Sequence, residues 1–366
     1  MEKIKKKRQR ELFSEKLTEI LNMGAMNLAM GIGYRVGLFE VMDGFDSPRP
    51  VAAIAAKAGL DQRYVSEWLG VMVTGGIIEL VKSEAMDNLF FLPGAHADFL
   101  TRRSGNANLG VYTQEIPLLT KCGMDGVVDG FTTGDGVPFA RYQNFQAFMA
   151  ELSDAKHRQV LVDKFLPSVA GGEVVKKLKQ GIRVCDLGCS EGVALLLMAQ
   201  AFPQSRFTGM DIDALAIEKA NREVKRLQVS NVRFVVTDAA ALADGMEFYE
   251  SFDYVTAFDS IHDQTRPLAA LESVYHILAP GGFFSMIDIA AETDVQANIG
   301  HPMGPFLYTV SLMHCMPVGL MDGGTGLGMM WGRAQAVELL CQAGFSKVSV
   351  EEIPEDSFND HFLCRK

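Results

Sequence analysis

Residues 183–192 read RVCDLGCSEG, an apolar run that leads into a loop with two glycines. The run predicts a buried β-strand ending near Asp186, and Gly188 and Gly192 predict a tight turn from this strand into a helix. Such a turn brings backbone N–H groups and a helix N-terminus close to a ligand. On its own the loop predicts only a turn, so its surroundings must decide what it binds.

Two acids follow the next two predicted strands. Asp211 ends the second strand, at the spacing of the ribose-binding acid in Rossmann-like sites, and Asp238 ends the third. A carboxylate at the first position can bind both ribose hydroxyls, and one at the second can accept from an adenine amine. Ile212, Ala239 and, at the end of the fourth strand, Phe258 are expected to line the same cofactor site.

The acid before the first glycine distinguishes between two cofactors. A dinucleotide site would use the order G-x-G-x-x-G, whereas this loop has D-x-G-x-S-x-G. A carboxylate here suits the ammonium and sulfonium groups of S-adenosylmethionine and suits a pyrophosphate poorly. Asp186, Gly188, Ser190 and Gly192 are therefore predicted to bind S-adenosylmethionine.

From residue 183 onward, short apolar runs alternate with helical stretches, which is typical of a parallel, doubly wound sheet. The predicted strands are 183–187, 206–210, 232–236, 254–258, 282–287 and 347–351, and the helices between the first five are 191–201, 213–227, 239–246 and 266–278. A last run at 361–365 follows after a turn too short for a parallel crossover, so the sheet is expected to end in an antiparallel hairpin.

The first hundred residues predict a winged helix. The expected helices are 12–30, 37–42, 51–58 and 62–72, and the two strands of the wing are 77–81 and 89–92. Between residues 11 and 100 there are twelve acidic and six basic side chains. Phosphate would be repelled by such a module, so dimerisation or covering of a substrate site is favoured over DNA binding.

Residues 101–180 predict connecting helices with glycine-rich breaks at 123–126 and 133–136. The most helical part is 142–166. Its Phe145, Phe148 and Met149 are predicted either to pack in a core or to close over the cofactor.

Together these motifs resemble the class I S-adenosylmethionine-dependent methyltransferases, in particular the small-molecule type with an N-terminal winged-helix domain. The segment 186–192 corresponds to the first motif of that family, Asp211 to its ribose motif and Asp238 to its adenine motif. LAPGG at 278–282 corresponds to the turn before its fifth strand. Ser190 departs from the glycine that many members have there, and a small residue still fits.

The resemblance implies an α/β fold with a Rossmann-like, doubly wound, seven-stranded sheet and an antiparallel last strand, preceded by an all-α/winged-helix domain. The expected divisions are a winged-helix-like domain at 1–100, connecting helices at 101–180 and a methyltransferase domain at 181–366 with a lid insertion at about 290–330. A homodimer is the expected assembly.

The methyl acceptor should meet the cofactor beyond the carboxyl ends of the strands, where the fourth strand runs into His262 and Asp263. His262 could deprotonate a hydroxyl or thiol, with Asp259 or Asp263 orienting its ring, or it could be structural. The signature [DNS]-P-P-[YFW] of adenine and glutamine N-methyltransferases is absent here, which disfavours modification of a nucleic-acid base.

The expected lid is rich in glycine and in polar aromatic residues. His301, Tyr308 and His314 are candidates for polar groups in the wall of the acceptor pocket, and the glycines permit a hinge. Packing against the N-terminal domain is the alternative role of this segment. Metal binding by its histidines with Cys315 is disfavoured because no close ligand spacing supports it.

Composition narrows the class of protein further. The net charge of −11 argues against general nucleic-acid binding, and the basic run at 3–10 is interpreted as a solvated helix start, with nuclear localisation or a phosphate contact as alternatives. Six cysteines without a CxxC pair, no signal peptide and no membrane span indicate a cytoplasmic protein. The predicted function is methyl transfer to a small molecule, O- or S-directed; the alternative is a regulatory or interaction protein that binds S-adenosylmethionine without turnover.

Overall fold

A 34-residue helix, α1, opens the computed structural model, which describes residues 2–82 and 88–366. The chain divides into two compact units, Met1–Leu118 and Leu119–Lys366. The helices of the first unit are α1 Glu2–Arg35, α2 Leu38–Asp43, α3 Val51–Ala58, α4 Gln62–Thr74 and α5 Gly94–Leu100, with 3-10 turns Arg102–Ala107 and Gly110–Gln114. Its strands are β1 Arg49–Pro50, β2 Glu79–Lys82 and β3 Asn88–Phe91.

The first unit is a winged helix, as predicted, and its wing has one strand more than expected. The strand order is β1-β3-β2, with both pairs antiparallel. The predicted cap of α4 is confirmed, because the Asp61 carboxylate accepts from the N–H groups of Arg63 and Tyr64. Gly33 of α1 allows close packing of the Trp68 ring from α4.

A helical segment connects the two halves of the chain. Its helices are α6 Glu115–Thr133, α7 Gln143–Lys156, α8 Leu166–Ser168 and α9 Glu173–Gln180, with 3-10 turns Phe139–Tyr142 and Val169–Gly172 and a π-helical stretch His157–Phe165. The predicted glycine break at 123–126 is wrong, since α6 runs through it without interruption. A Cβ at Gly123 would lie 2.6 Å from Oη of Tyr142, so this glycine provides close packing. The predicted break at 133–136 is confirmed, and Gly134 has a φ of +76°.

The second unit contains the predicted seven-stranded sheet in the order β6-β5-β4-β7-β8-β10-β9. Its strands are β4 Arg183–Leu187, β5 Arg206–Asp211, β6 Val232–Val236, β7 Phe252–Phe258, β8 Leu278–Ile289, β9 Val348–Ile353 and β10 Asp356–Arg365. The first five are parallel, and β10 runs antiparallel to both β8 and β9, which confirms the predicted hairpin.

Helices cover both faces of this sheet. Side chains of α9, α10 and α11 share one core cluster with Val184 of β4, while those of α12 and α15 share the other with Cys185. The two neighbours on β4 point to opposite faces, as alternation along a strand requires. The remaining elements are α10 Val193–Ala201, α11 Ala214–Leu227, the 3-10 turn Ala239–Asp244, α12 Pro267–Ile277, α13 Gly304–Val310, π-helical Ser311–Cys315, α14 Met316–Gly319, the 3-10 turn Met321–Gly323 and α15 Gly332–Gln342.

The segment between β8 and α15 lies against the loop that follows β7. The N–H of Gly328 donates to the carbonyl of His262 (3.1 Å), and the N–H of Thr325 donates to that of Thr265 (3.0 Å). Glycine at 324 permits this close approach, because a Cβ there would overlap Thr265, whereas a Cβ at Gly328 would overlap Ser311 of the same segment. Among the described residues, no helix is long and apolar enough to cross a membrane.

Candidate functional site

The loop between β4 and α10 is held in shape by β5. The N–H groups of Gly188 and Cys189 both donate to the carbonyl of Met210 (2.8 and 3.1 Å), and that of Ser190 donates to Oδ2 of Asp211 (2.8 Å). These donors are therefore engaged within the protein. The loop's contribution to a ligand site is its shape and its neighbouring carboxylates.

Three residues of this loop have a positive φ: Gly188 (+70°), Ser190 (+48°) and Gly192 (+78°). A Cβ at Gly188 would overlap the side chain of Ser260, and one at Gly192 would overlap the ring of Phe234. Each glycine thus combines a left-handed turn with close packing, which no other residue type allows without strain.

Asp186 lies at the base of the loop with only 2% of its surface exposed. Its Oδ1 accepts from the hydroxyl of Thr256 on β7 (2.6 Å). The pKa of Asp186 is raised to about 7. Burial is the main cause, nearby Asp211 adds to it, and the hydrogen bond from Thr256 opposes it. No ion pair to this carboxylate is found in residues 2–82 and 88–366.

Asp211 stands at the end of β5, directly opposite Val236 of β6. Its two oxygens accept from the N–H groups of Ser190 and Asp213 (both 2.8 Å), and burial raises its pKa. The N–H of Ile212 also donates to this carboxylate, and a ribose hydroxyl would use its remaining acceptor capacity.

Apolar side chains flank Asp211 at the carboxyl edge of the sheet. Ile212 is 68% exposed and Val236 is 50% exposed. A pair of exposed aliphatic groups beside an acid that is predicted to bind ribose suits the faces of an adenine. Sequence reasoning identified Ile212 and missed Val236, whose exposure is hidden because it is the last residue of an apolar strand.

Asp238 already has two partners. Its Oδ1 caps the 3-10 turn that begins at Ala239 by accepting from the N–H of Ala240 (2.9 Å), and its Oδ2 pairs with Arg266 (2.6 Å). The predicted contact to an adenine amine would share these oxygens with the cap and the ion pair.

Phe258 ends β7 and meets the helical segment 142–166. Its ring centroid lies 4.9 Å from that of His157 and 6.1 Å from that of Phe165. Phe145 and Phe148 of the same segment are buried, which supports the predicted packing role. Asp154, one turn before His157, has its pKa raised to about 6 by burial, with Arg158 lowering and Glu191 of the cofactor loop raising it.

His262 follows β7 and is 4% exposed. Its Nδ1 lies 2.8 Å from Oδ1 of Asp288, which is fully buried on β8 and also accepts from the N–H of Ile289. The predicted orienting acids, Asp259 and Asp263, do not fill this role. Asp259 instead accepts from the side-chain amide of Asn359. Sequence reasoning missed Asp288 because it lies inside an apolar strand.

Burial opposes a positive charge on His262, but Asp288 and the side chain of Cys315 outweigh it and hold the pKa of His262 well above its usual value. Burial also raises the pKa of Asp263 to about 6, while His262 lowers it. An imidazole held by a buried carboxylate is the usual arrangement of a general base.

Both units of the chain are similar to known proteins. A family model described as "Methyltransferase domain" matches residues 178–303, and one described as "Rv2258c-like winged HTH domain" matches residues 24–102. The demethylmenaquinone methyltransferase of Listeria monocytogenes is 26% identical over 201 residues, which are 52% of this chain and 81% of that protein. The fatty-acid O-methyltransferase of Mycolicibacterium smegmatis is 29% identical over 116 residues, 32% of this chain and 40% of that protein.

A solved structure extends the similarity to nearly the whole fold. Human N-acetylserotonin methyltransferase, solved with S-adenosylmethionine, superposes with a TM-score of 0.66 at 18% identity and covers 96% of this chain and 97% of its own. The chain is a class I S-adenosylmethionine-dependent methyltransferase with an N-terminal winged helix.

The residues of this methyltransferase fit its cofactor. The carboxylate of Asp186 is buried and has no cationic partner among the described residues, and with that of Asp211 it suits a ligand with ammonium and sulfonium charges and a ribose. Exposed Ile212 and Val236 offer apolar contact to the adenine. A pyrophosphate at Asp186 would meet like charge at short range.

The methyltransferase brings only one of the three predicted lid residues close to His262. His314 is 7% exposed, and His262 contributes to lowering its pKa. His301 instead accepts from the N–H of Met303 through Nδ1 (3.2 Å), and the Tyr308 hydroxyl accepts from the amide of Asn298 (3.1 Å). In the described part of the chain, no group of three or more His, Cys, Asp or Glu side chains is arranged to hold a metal ion.

Proposed function

We propose that this protein transfers a methyl group from S-adenosylmethionine to a hydroxyl or thiol of a small molecule, with His262 as the general base. The observation that carries the proposal is the buried pair of His262, which follows β7, and Asp288 near the end of β8, at the carboxyl edge of the sheet where Asp186 and Asp211 also lie. A buried imidazole–carboxylate pair can act as a general base, which removes the hydroxyl or thiol proton of the acceptor as the acceptor attacks the methyl group.

When bound, S-adenosylmethionine supplies an electrophilic methyl group. Asp186 would face its charged amino-acid end, Asp211 its ribose, and Ile212, Val236 and Asp238 its adenine, with Gly188, Ser190 and Gly192 shaping the loop between them. Ala239 and Phe258 would complete the walls. The protein's own task is to align the acceptor and to manage one proton.

The proton is managed by His262. With the proton of Nδ1 donated to Asp288, Nε2 is the ring nitrogen that can take the proton of an acceptor O–H or S–H. The resulting imidazolium is stabilised by the carboxylate of Asp288 until the product leaves and the proton passes to solvent. Asp263, the neighbouring acid, would contribute negative potential without contacting the ring.

The comparisons support a small-molecule acceptor. The names of the similar proteins specify demethylmenaquinone, a fatty acid and N-acetylserotonin as acceptors, all of which are small molecules. His314, buried beside His262, is the lid residue that we expect to contact the acceptor, while His301 and Tyr308 are expected to shape the lid.

The function is tested by a labelled-methyl screen of a cell metabolite extract with wild type and His262→Asn. We expect turnover of the acceptor found in this way to fall by about a hundredfold or more in the variant, while its affinity for S-adenosylmethionine, measured by titration calorimetry, is unchanged. Equal turnover by both proteins would exclude His262 as the base.

The role of Asp288 is tested by the pH dependence of the same turnover. Because Asp288 raises the pKa of His262, Asp288→Asn should move the acid limb of the profile to lower pH and reduce the maximal rate. Asp263→Asn is the matched control, since it makes the same chemical change one residue from His262. A larger effect of the control than of Asp288→Asn would assign the orienting role to Asp263.

The ribose assignment is tested separately. Asp211→Ala should weaken S-adenosylmethionine binding by about tenfold or more, since it removes an acceptor of two hydrogen bonds. Asp213→Ala is the control, because the side chain of Asp213 caps α11 by accepting from the N–H of Leu215, and its N–H to Asp211 is kept in the variant. Unchanged affinity in Asp211→Ala would refute the assignment.

A further inference from the structure

Cys315 lies between two imidazole rings. Its side chain is hydrogen-bonded to His262, and its Sγ lies 3.6 Å from Nδ1 of His314. All three residues are buried: Cys315 and His262 are each 4% exposed and His314 is 7% exposed. Since Nδ1 of His262 faces Asp288, the hydrogen bond to the thiol is made by the other ring nitrogen, Nε2. The order Asp288–His262–Cys315 is therefore carboxylate, imidazole, thiol.

Two buried polar atoms beside this group have no hydrogen-bond partner in the described part of the chain: Nε2 of His314 and Oδ2 of Asp288. An unsatisfied buried polar atom is costly, so each of these two atoms, which belong to side chains of the cluster, offers a hydrogen-bonding position to a further polar group. The cluster is thus more than a cysteine packed in a core.

Aromatic rings surround His314. Its ring centroid lies 4.7 Å from those of Tyr142 and Phe145 and 6.3 Å from that of Phe139. Burial, together with the nearby His262, lowers the pKa of His314 to about 3, so the ring is neutral. A neutral ring can donate Nδ1–H to the sulfur and leave the lone pair of Nε2 without a partner.

The chemistry of this arrangement is that of a cysteine nucleophile. Transfer of the thiol proton to Nε2 of His262 produces an imidazolium that Asp288 stabilises and a thiolate that receives hydrogen bonds from both rings. We propose that Cys315 is an ionised, nucleophilic thiol in the acceptor-free protein and the site at which small alkylating electrophiles react. In this reaction the sulfur lone pair forms a C–S bond, and the leaving group departs with the electron pair of the bond that breaks. The proton already resides on His262.

The thiol of Cys315 and the proposed methyl transfer both use His262. While the thiolate is present, His262 carries the proton that it would otherwise take from the acceptor. Cys315 and the acceptor therefore compete for the same base. Ionisation of the thiol needs neither cofactor nor acceptor, so a failure of this proposal and a failure of methyl transfer are distinguishable.

The first test follows the ultraviolet absorbance of the thiolate as a function of pH, which requires no access to the site. The wild type is expected to contain about one thiolate at pH values near 7, where an ordinary cysteine is only a few per cent ionised. Cys315→Ser should abolish this signal, and His262→Asn should move it to higher pH. Cys122→Ser, at another buried cysteine, is the matched control and should retain it.

A second test needs no variant. Iodoacetamide labelling of the native wild type between pH 6 and 8 is mapped by peptide mass spectrometry, with the exposed Cys341 as internal reference. Labelling of an ordinary exposed thiol rises by nearly tenfold per pH unit in this range, and labelling of Cys315 should instead be almost independent of pH. Parallel pH dependence of the two residues, no labelling of Cys315, or a thiolate signal that survives in Cys315→Ser would overturn the proposal.

Discussion

At the scale of single residues, Asp186 couples ligand binding to pH. Its pKa is raised to about 7, so the carboxyl is largely protonated below neutral pH in the ligand-free protein. A cationic ligand favours the ionised form, so binding must release this proton at lower pH. The affinity for S-adenosylmethionine should therefore rise with pH, by up to about tenfold per unit, and level off above pH ~7.

Titration calorimetry checks this prediction in buffers of different ionisation enthalpy, because the apparent enthalpy then reports the number of protons released. Asp186→Asn should bind more weakly and lose the proton release at pH ~6. Thr256→Val is an informative companion, since loss of its hydrogen bond to Asp186 should raise the pKa of the carboxyl further and move the pH dependence upward. Proton release that persists in Asp186→Asn would assign the titration to another group.

At the scale of secondary-structure elements, two helical glycines should respond in opposite ways to alanine. Gly70 of α4 has no atom near the position of a Cβ, so Gly70→Ala should raise the free energy of unfolding by about 0.5–1 kcal/mol through helix propensity. Gly123 of α6 faces Oη of Tyr142, which donates to the carbonyl of Met313. Gly123→Ala should therefore lower the free energy of unfolding, by about 1–3 kcal/mol.

Urea denaturation of the two variants and the wild type measures this difference. The double variant Gly123→Ala with Tyr142→Phe removes the hydroxyl that the new Cβ would meet. Its stability should exceed that expected from adding the two single effects. If Gly123→Ala were as stabilising as Gly70→Ala, close packing would not be the reason for the glycine.

The same elements show what could be predicted from the sequence. The strands of the large sheet were predictable because buried parallel strands are short apolar runs, and the hairpin because its turn is too short for a crossover. Strand β1 was not predictable, since it is two residues long and includes Pro50. Glycines in α6 were interpreted as breaks because their packing partners, Tyr142 and Val137, are fixed only by tertiary structure.

The candidate site, like the fold, could be predicted from the sequence in part. Asp186, Asp211 and Asp238 stand at strand ends, where an acid interrupts an apolar run and is easily recognised. Asp288 could not be recognised from the sequence, because it lies in the apolar run of strand β8, which is twelve residues long and almost wholly buried. A single acid in such a run gives no sign of a functional role. Its role depends on the pairing of β7 with β8, which brings it beside His262 and is not encoded in local spacing.

At the scale of the whole molecule, charge argues against a function that a winged helix often has. The chain carries a net charge of −11, and residues 11–100 contain twice as many acidic as basic side chains. Near the N-terminus of α4, where a reading helix would contact DNA, Arg63 is paired with Glu67. Binding of duplex DNA requires the release of counterions by cationic groups, which this surface supplies poorly.

We therefore expect no complex with a duplex DNA pool at about 0.15 M salt, measured by fluorescence anisotropy. Weak binding at low salt would trace to the basic run in α1, and substitution of Lys5, Lys6 and Lys7 by glutamine should remove it. The reason is that the Debye length grows at low salt and lets a small basic cluster act alone. A complex that survives at 0.15 M salt, or that persists in the triple variant, would contradict this prediction. It would indicate that the winged helix binds DNA.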